Sequence, residues 1–136
     1  MVIRNREIRF LVLTSSDGFE VGAAGDLCTD EQGRMSAMAS SLLSLSHAMT
    51  KETGLNSCEE VIIDGADGKV VVMSVPGQDP DLLLMAVTHS DIAVGKLLLE
   101  LRTTCLEISR ELQLKHEKNP SIVNSLQGIN ETSLSA

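Results

Sequence analysis

The chain has 136 residues, 43% of them hydrophobic, and a formal net charge of −8. This length predicts a single domain with a hydrophobic core of its own. The chain holds two Phe and neither Tyr nor Trp, whereas a surface that binds single-stranded nucleic acid needs aromatic side chains for stacking. A phosphate-binding surface also needs clustered Lys and Arg. Because the chain has no such cluster, its composition argues against nucleic acid and anionic membranes as partners.

The cysteines and the N-terminus indicate a cellular location. Cys28, Cys58 and Cys105 are widely spaced and form no Cys-x-x-Cys pair, which is typical of reduced thiols. The N-terminus lacks the apolar run of a signal peptide, and no stretch approaches the ~18 apolar residues of a membrane span. We therefore expect a cytoplasmic protein that does not insert into membranes.

The first predicted elements form a hairpin. Residues 8–14 are apolar at nearly every position, which is typical of a strand buried on both faces. Asp17 and Gly18 follow as a strong hairpin signal. Residues 19–24 then return as a shorter strand.

A long helix is predicted next, over residues 29–53, with Gly54 as its stop. Thr29 and Gln32 have the spacing of a capping box. One row of apolar residues recurs every three or four positions: Met35, Met38, Leu42, Leu45 and Met49. A second row holds small residues: Ala37, Ser41, Ser44 and Ala48. We predict that the apolar row faces the core. The small row would allow another backbone to approach closely, such as a second copy of this helix.

Three further strands are predicted in the middle of the chain. Residues 57–64 and 69–75 are joined by Asp67 and Gly68, a second hairpin signal. Residues 82–88 are apolar throughout and predict another central strand. Strands joined mostly by hairpins form an antiparallel sheet, and central strands that are apolar on both sides need cover on both faces.

A second helix is predicted from Ser90 or Asp91 to about Leu114. Its apolar stripe is spaced four and three residues apart in turn: Val94, Leu98, Leu101, Cys105, Ile108 and Leu112. We expect residues 1–114 to form the domain and the polar residues 115–136 to form a flexible tail. The predicted order is therefore β-β-α-β-β-β-α.

This combination of segments resembles the roadblock/LC7 family over roughly residues 5–113. The resemblance rests on LVLTSSDGFEVGAAG, MSAMASSLLSLSHAM, EEVIIDGADGKVVVMSV and DLLLMAVTHSDIAVGKLLLEL. It implies a profilin-like α/β sandwich whose five-stranded antiparallel sheet has the order 2-1-5-4-3. The chain departs from the family pattern in lacking the long N-terminal helix of some members, which leaves open what covers one sheet face.

The resemblance also implies a homodimer, in which the middle helices pack together and the third strands pair. The dimer interface would then contain Ala37, Ser41, Ser44, Ala48, Val61 and Ile63. In bacteria, members of the family often regulate Ras-like GTPases. In eukaryotes they serve dynein and lysosomal scaffolds.

Catalytic, cofactor and metal sites are not predicted. His47, His89 and His116 are far apart and belong to no ligand pair of known spacing. The chain has neither a G-x-x-x-x-G-K-[ST] loop nor a G-x-G-x-x-G motif after a strand, so it does not itself resemble the GTPase. Ser46 and His47 are adjacent on a helix and therefore point to different sides.

The main functional hypothesis is thus a non-catalytic homodimer that binds and regulates a Ras-like small GTPase. The alternatives are a structural adaptor with no effect on GTP hydrolysis, and a small-molecule sensor with a cavity lined by convergent polar groups. Four acidic residues could steer a basic partner or form a solvated edge that discourages aggregation: Glu59, Glu60, Asp64 and Asp67. Four apolar tail residues have the spacing of a short amphipathic helix, although the tail's composition favours disorder: Ile122, Val123, Leu126 and Ile129.

Overall fold

The computed structural model of the protein describes residues 3–78, 81–89 and 92–118. The elements in chain order are β1 (Ile8–Ser15), β2 (Glu20–Gly25), α1 (Thr29–Glu52), β3 (Glu60–Gly65), β4 (Gly68–Val75), β5 (Leu82–Thr88) and α2 (Val94–Lys118). The strands form one five-stranded sheet in the order β2-β1-β5-β4-β3, and every neighbouring pair is antiparallel. The predicted fold class, strand order and element order are confirmed.

The central position of β5 and β1 explains why both strands are apolar on nearly every residue. In β1, Phe10 and Val12 lie in a cluster that includes Ala39 and Leu43 of α1, which we call the α1-side cluster. The alternate residues of β1 lie in a second cluster with α2, the α2-side cluster. Since side chains alternate across a strand, a sheet covered by a helix on each face needs apolar residues at every central position.

Both predicted Asp-Gly turns are present, and each glycine has a steric reason. Gly18 has a φ of +90°, in the left-handed region. A Cβ built on Gly68 would lie 2.4 Å from the carbonyl oxygen of Thr88. A side chain at either position would therefore strain the backbone or clash with it.

The cap of α1 lies one residue earlier than predicted. The N-cap is Cys28, whose backbone N–H donates to the Glu31 carboxylate at 3.3 Å. This hydrogen bond lowers the pKa of Glu31. The prediction of a box formed by Thr29 and Gln32 is wrong, because Thr29 is already helical and Gln32 Nε2 donates to the carbonyl of Leu27 at 3.2 Å.

The orientation of α1 also differs from the prediction. Its buried residues are mostly small: Ser36, Ala39, Ser40 and Leu43. The hydroxyl of Ser40 donates to the carbonyl oxygen of Ser16 in the β1–β2 turn, which holds the helix close to the sheet. Of the row assigned to the core, Met35 and Leu42 are partly buried beside the α1-side cluster. The assignment is wrong for the other three, which are exposed: Met38, Leu45 and Met49.

In α2, the predicted stripe supplies most of the core contacts, but its first residue, Val94, is 38% exposed, and Leu97, which lies outside the stripe, is fully buried. Leu101, Cys105 and Ile108 are buried in the α2-side cluster. The helix begins at Val94 and continues to Lys118, past the predicted end. The predicted starts at Ser90 and Asp91, and the tail beyond residue 118, lie outside the described residues.

Candidate dimer interface

The outward side of α1 carries a continuous apolar and small-residue surface. Met38, Leu45 and Met49 are each 61% exposed. The four small residues of the second row are exposed as well. The two rows predicted to lie on different faces therefore form one surface, which we call the outer face of α1: Ala37, Met38, Ser41, Ser44, Leu45, Ala48 and Met49. Exposed apolar patches of this kind mark sites of protein–protein contact.

Two serines on the accessible part of this helix, Ser41 and Ser46, have hydroxyls that are already hydrogen-bonded within the helix. Ser41 Oγ donates to the carbonyl oxygen of Ala37 at 2.9 Å, and Ser46 Oγ donates to that of Leu42 at 2.8 Å. A hydroxyl bonded to the preceding turn is already satisfied. Another helix can therefore pack over Ser41 without leaving a buried donor unpaired.

The edge strand β3 borders the same side of the molecule. Val61 packs against the α1-side cluster, and Ile63, two residues further along the strand, is on the same face. Ile63 is 46% exposed. The structure thus places all six residues predicted for the dimer interface on one side of the sheet, at least partly accessible to a partner. Their role in a dimer stays a prediction.

A shallow hollow continues this side of the molecule beyond α1. Its volume is about 280 Å³. Its lining combines apolar residues with charged and polar ones: Ile63, Val70 and Val87 with Arg9, Asp67, Lys69 and His89. Since α1 leaves this part of its own sheet face open, the hollow offers space for a side chain or helix from another molecule.

The opposite side of the molecule has a larger groove, which the sequence did not indicate. It encloses about 790 Å³ between the N-terminal segment, β1 and α2. Four of its polar residues contact each other in pairs: Asn5 donates to Glu100 at 2.5 Å, and Arg4 lies 3.9 Å from Glu107.

The residues considered from the sequence as candidates for catalysis or metal binding do not come together in the described part of the structure. His47 is exposed on α1, and the Ser46 hydroxyl is directed to its own helix. Burial raises the pKa of the Cys105 thiol to about 12. Within residues 3–78, 81–89 and 92–118, no group of three His, Cys, Asp or Glu side chains is arranged to hold a metal ion. No helix in that part of the chain is long and apolar enough to cross a membrane.

Comparison with known proteins gives consistent matches. A model of the Roadblock/LC7 domain family matches residues 2–86. The sequence has no match among curated proteins. Among solved structures, the roadblock/LC7 domain from Streptomyces avermitilis is similar with a TM-score of 0.72 and 21% identity, over 81% of this chain and 89% of that one.

Two further solved structures share the fold. Myxococcus xanthus MglB has a TM-score of 0.71 at 13% identity, over 81% of this chain and 87% of its own. The gliding protein mglB from Thermus thermophilus has a TM-score of 0.67 at 18% identity, over 79% of both chains. At these identities the structures establish the fold alone. The family match over residues 2–86 covers more than half of the sequence. The chain therefore belongs to the Roadblock/LC7 domain family.

Proposed function

We propose that this chain is a non-catalytic, homodimeric module that binds and regulates a Ras-like small GTPase. The observation that carries the proposal is the outer face of α1, where Met38, Leu45 and Met49 are each 61% exposed beside a row of small residues. A folded chain gains nothing from leaving such a surface in water. Membership of a family whose bacterial members often regulate GTPases gives the surface a functional context.

In the proposed dimer, α1 packs against α1 of a second copy. Ala37, Ser41, Ser44 and Ala48 allow the two backbones to come close, while the exposed Met and Leu side chains pack on either side. The β3 strands of the two copies pair, which joins the two sheets and satisfies the unpaired backbone groups of both edges. A symmetric contact of this kind uses the same patch on both protomers.

The charges along β3 are compatible with this pairing. The Glu60 carboxylate is 2.8 Å from Arg102 Nη2 on α2, and the Asp64 carboxylate is 2.6 Å from Lys69 Nζ on β4. Two of the four acidic residues noted in the sequence are thus partly neutralised within the chain. Repulsion between two β3 strands is therefore smaller than the sequence alone implies.

The proposed module would act on the GTPase cycle by positioning groups of the GTPase itself. An activator of this kind need not supply an arginine finger. A similar solved structure is described as MglB with a tetrameric arrangement, at a TM-score of 0.68. The number of copies of this chain in the complex should therefore be measured. The net charge of −8 favours a partner with a basic contact surface.

The proposal is tested by affinity capture from the native lysate with the tagged chain as bait, in parallel with GDP and with a non-hydrolysable GTP analogue. Bound proteins are identified by mass spectrometry. We expect a Ras-like GTPase enriched in one nucleotide state only. Partners that are indifferent to nucleotide, with no GTPase among them, would instead identify a structural adaptor.

A bait carrying Ser41→Glu serves as the control for assembly. The substitution places a carboxylate in the middle of the proposed helix contact and leaves the core of the chain untouched, because Ser41 is exposed. We expect this variant to lose the GTPase if the dimer is the binding unit. Capture of the GTPase at wild-type levels by a monomeric variant would remove the dimer from the proposal.

A further inference from the structure

The strand β2 forms the edge of the sheet opposite β3, and among the described residues it pairs with β1 alone. The N–H of Asp26 donates to the carbonyl of Arg9 at 3.2 Å. In an antiparallel ladder, bonded and non-bonded pairs alternate. The pair formed by Val12 and Ala23 is therefore a non-bonded one, and the N–H and C=O of Ala23 point away from β1.

Among the described residues, the part of this edge beyond Glu20 and the bulge lacks the usual protection against strand addition. Natural edges are guarded by Lys, Pro or charged side chains that hinder another strand. From Gly22 to Gly25 the sequence is GAAG, so the regular part of the ladder carries only small side chains. The bulge between Leu13 and Thr14 is confined to the turn end of the hairpin. At Ala23, a second strand therefore meets an N–H and a C=O that point away from β1.

Apolar side chains border the same edge at its turn end. Phe19 is 72% exposed and Val21 is 53% exposed. They lie on the opposite sheet edge from Ile63. The adjacent Gly18 lies beside α1, since a Cβ built on it would be 3.4 Å from the Ala37 Cα, so the turn end of this edge borders the outer face of α1. An added strand could place an apolar side chain against Phe19 while its backbone pairs with β2.

The charge around β2 favours one kind of segment as the added strand. Five acidic residues lie between Arg9 and Arg34: Asp17, Glu20, Asp26, Asp30 and Glu31. With both arginines counted, residues 9–34 carry a net charge of −3. Pairing of β2 with β2 of a second copy would bring these carboxylates together, which is unfavourable. A segment rich in Lys or Arg would be attracted to the same edge.

We propose that the free edge of β2 docks an extended, basic segment of a partner protein as a sixth strand of the sheet, counted after the five present. Main-chain hydrogen bonds to the outward N–H and C=O of Ala23 would provide affinity, as in other cases of strand addition. The acidic residues would select the charge of the segment, and Phe19 would contact one of its apolar side chains. This site goes beyond the proposed GTPase regulation and does not depend on it.

The experiment titrates the ¹⁵N-labelled full chain with a synthetic peptide of alternating valine and lysine, followed by NMR. A twin peptide with glutamate in place of lysine is the charge control. We expect the amide resonance of Ala23 to shift with the basic peptide only. Equal binding of the acidic twin, or shifts confined to α1 and β3, would overturn the proposal.

Ala23→Pro tests the backbone contact directly. Proline is tolerated on an edge strand where the N–H faces solvent, but it removes the outward donor, so we expect binding weaker by about tenfold. Phe19→Ser tests the apolar contact independently and should weaken binding about fivefold. Leu99→Ser, at a 67% exposed position on α2, is the matched control and should bind as wild type. If Ala23→Pro folds, wild-type binding by both variants would refute the site. If Ala23→Pro does not fold, wild-type binding by Phe19→Ser alone would refute it.

Discussion

Replacing Leu45 on the outer face of α1 should weaken self-association without weakening the fold. Leu45 is 61% exposed in the single chain, so its contribution to the monomer's core is small. Full burial of a leucine side chain stabilises by roughly 1.5–3 kcal/mol. Burying the exposed part of Leu45 in a dimer would therefore contribute about 1–2 kcal/mol per copy.

Leu45→Ala removes most of that contribution and does so twice, because a symmetric interface contains both copies. A loss of about 1 kcal/mol per copy raises the dimer dissociation constant by roughly 30-fold. Ser41→Glu should have a larger effect, because each protomer would bury a carboxylate without a partner. We expect that variant to be monomeric at all working concentrations.

Sedimentation velocity over a dilution series measures the dissociation constant of the dimer. Thermal unfolding under monomeric conditions measures the stability of the monomer. Leu99→Ala is the matched control, since Leu99 is a leucine of similar exposure, 67%, on α2 at the other side of the sheet. It should leave the dissociation constant unchanged. If Leu45→Ala and Leu99→Ala behave alike, or if Ser41→Glu remains dimeric, the outer face of α1 is not the interface.

Three further predictions concern single sites. Alkylation of the native protein should modify exposed Cys28 and spare Cys105, because Cys105 is buried and its pKa is raised to about 12. Peptide mass spectrometry measures the labelling of each cysteine, and equal labelling of the two would contradict this prediction. The hydrogen bond from the N-cap lowers the pKa of Glu31, so its stabilisation is present above the ordinary pKa of a Glu carboxyl and is lost as the pH falls through the lowered pKa. Glu31→Gln should therefore flatten the acid side of the melting-temperature profile, and an unchanged profile would count against this cap. Gly68→Ala should destabilise by about 1–3 kcal/mol in denaturant unfolding, since its Cβ would lie 2.4 Å from a carbonyl of β5. Gly33→Ala should instead stabilise the protein by up to about 1 kcal/mol, because the space around a Cβ at this position on α1 is open. A Gly68→Ala variant more stable than Gly33→Ala would refute the packing argument.

The strands were predictable because their determinants are local. Two Asp-Gly turns define the hairpins, and residues 82–88, apolar on both faces, can only be central in a sheet covered on both sides. The strand order was implied by the family resemblance rather than by the strands themselves. It requires long-range pairing, such as that of β1 with β5, which no local pattern specifies.

The orientation of α1 was not predictable from apolar periodicity alone. Periodicity identifies a stripe but does not distinguish a stripe that meets the chain's own sheet from one that meets another molecule. Small residues such as Ser36 and Ala39 let the helix lie close to the sheet, and Met38 and Leu45 then point outward. The row of small residues was correctly placed on an exposed part of α1. The larger side chains beside it, Met38, Leu45 and Met49, were wrongly assigned to the core.

The groove along α2 was missed for a different reason. Its walls come from residues distant in sequence, such as Asn5 and Glu100, which meet only in the folded chain. The N-terminal residues are few and polar, and no local pattern assigned them a packing role. In the fold, Ile3 packs against the α2-side cluster, so this segment partly covers a sheet face whose cover the sequence left open.

The central claim is that two copies of this chain together recognise one nucleotide state of a Ras-like GTPase. Native mass spectrometry tests it most directly, with the captured GTPase loaded with GDP or with a non-hydrolysable GTP analogue and mixed with the wild-type chain. The account predicts a complex that contains two copies of the chain, or a multiple of two, and that is abundant in one nucleotide state only. A complex with a single copy, or one equally abundant in both states, would contradict the account.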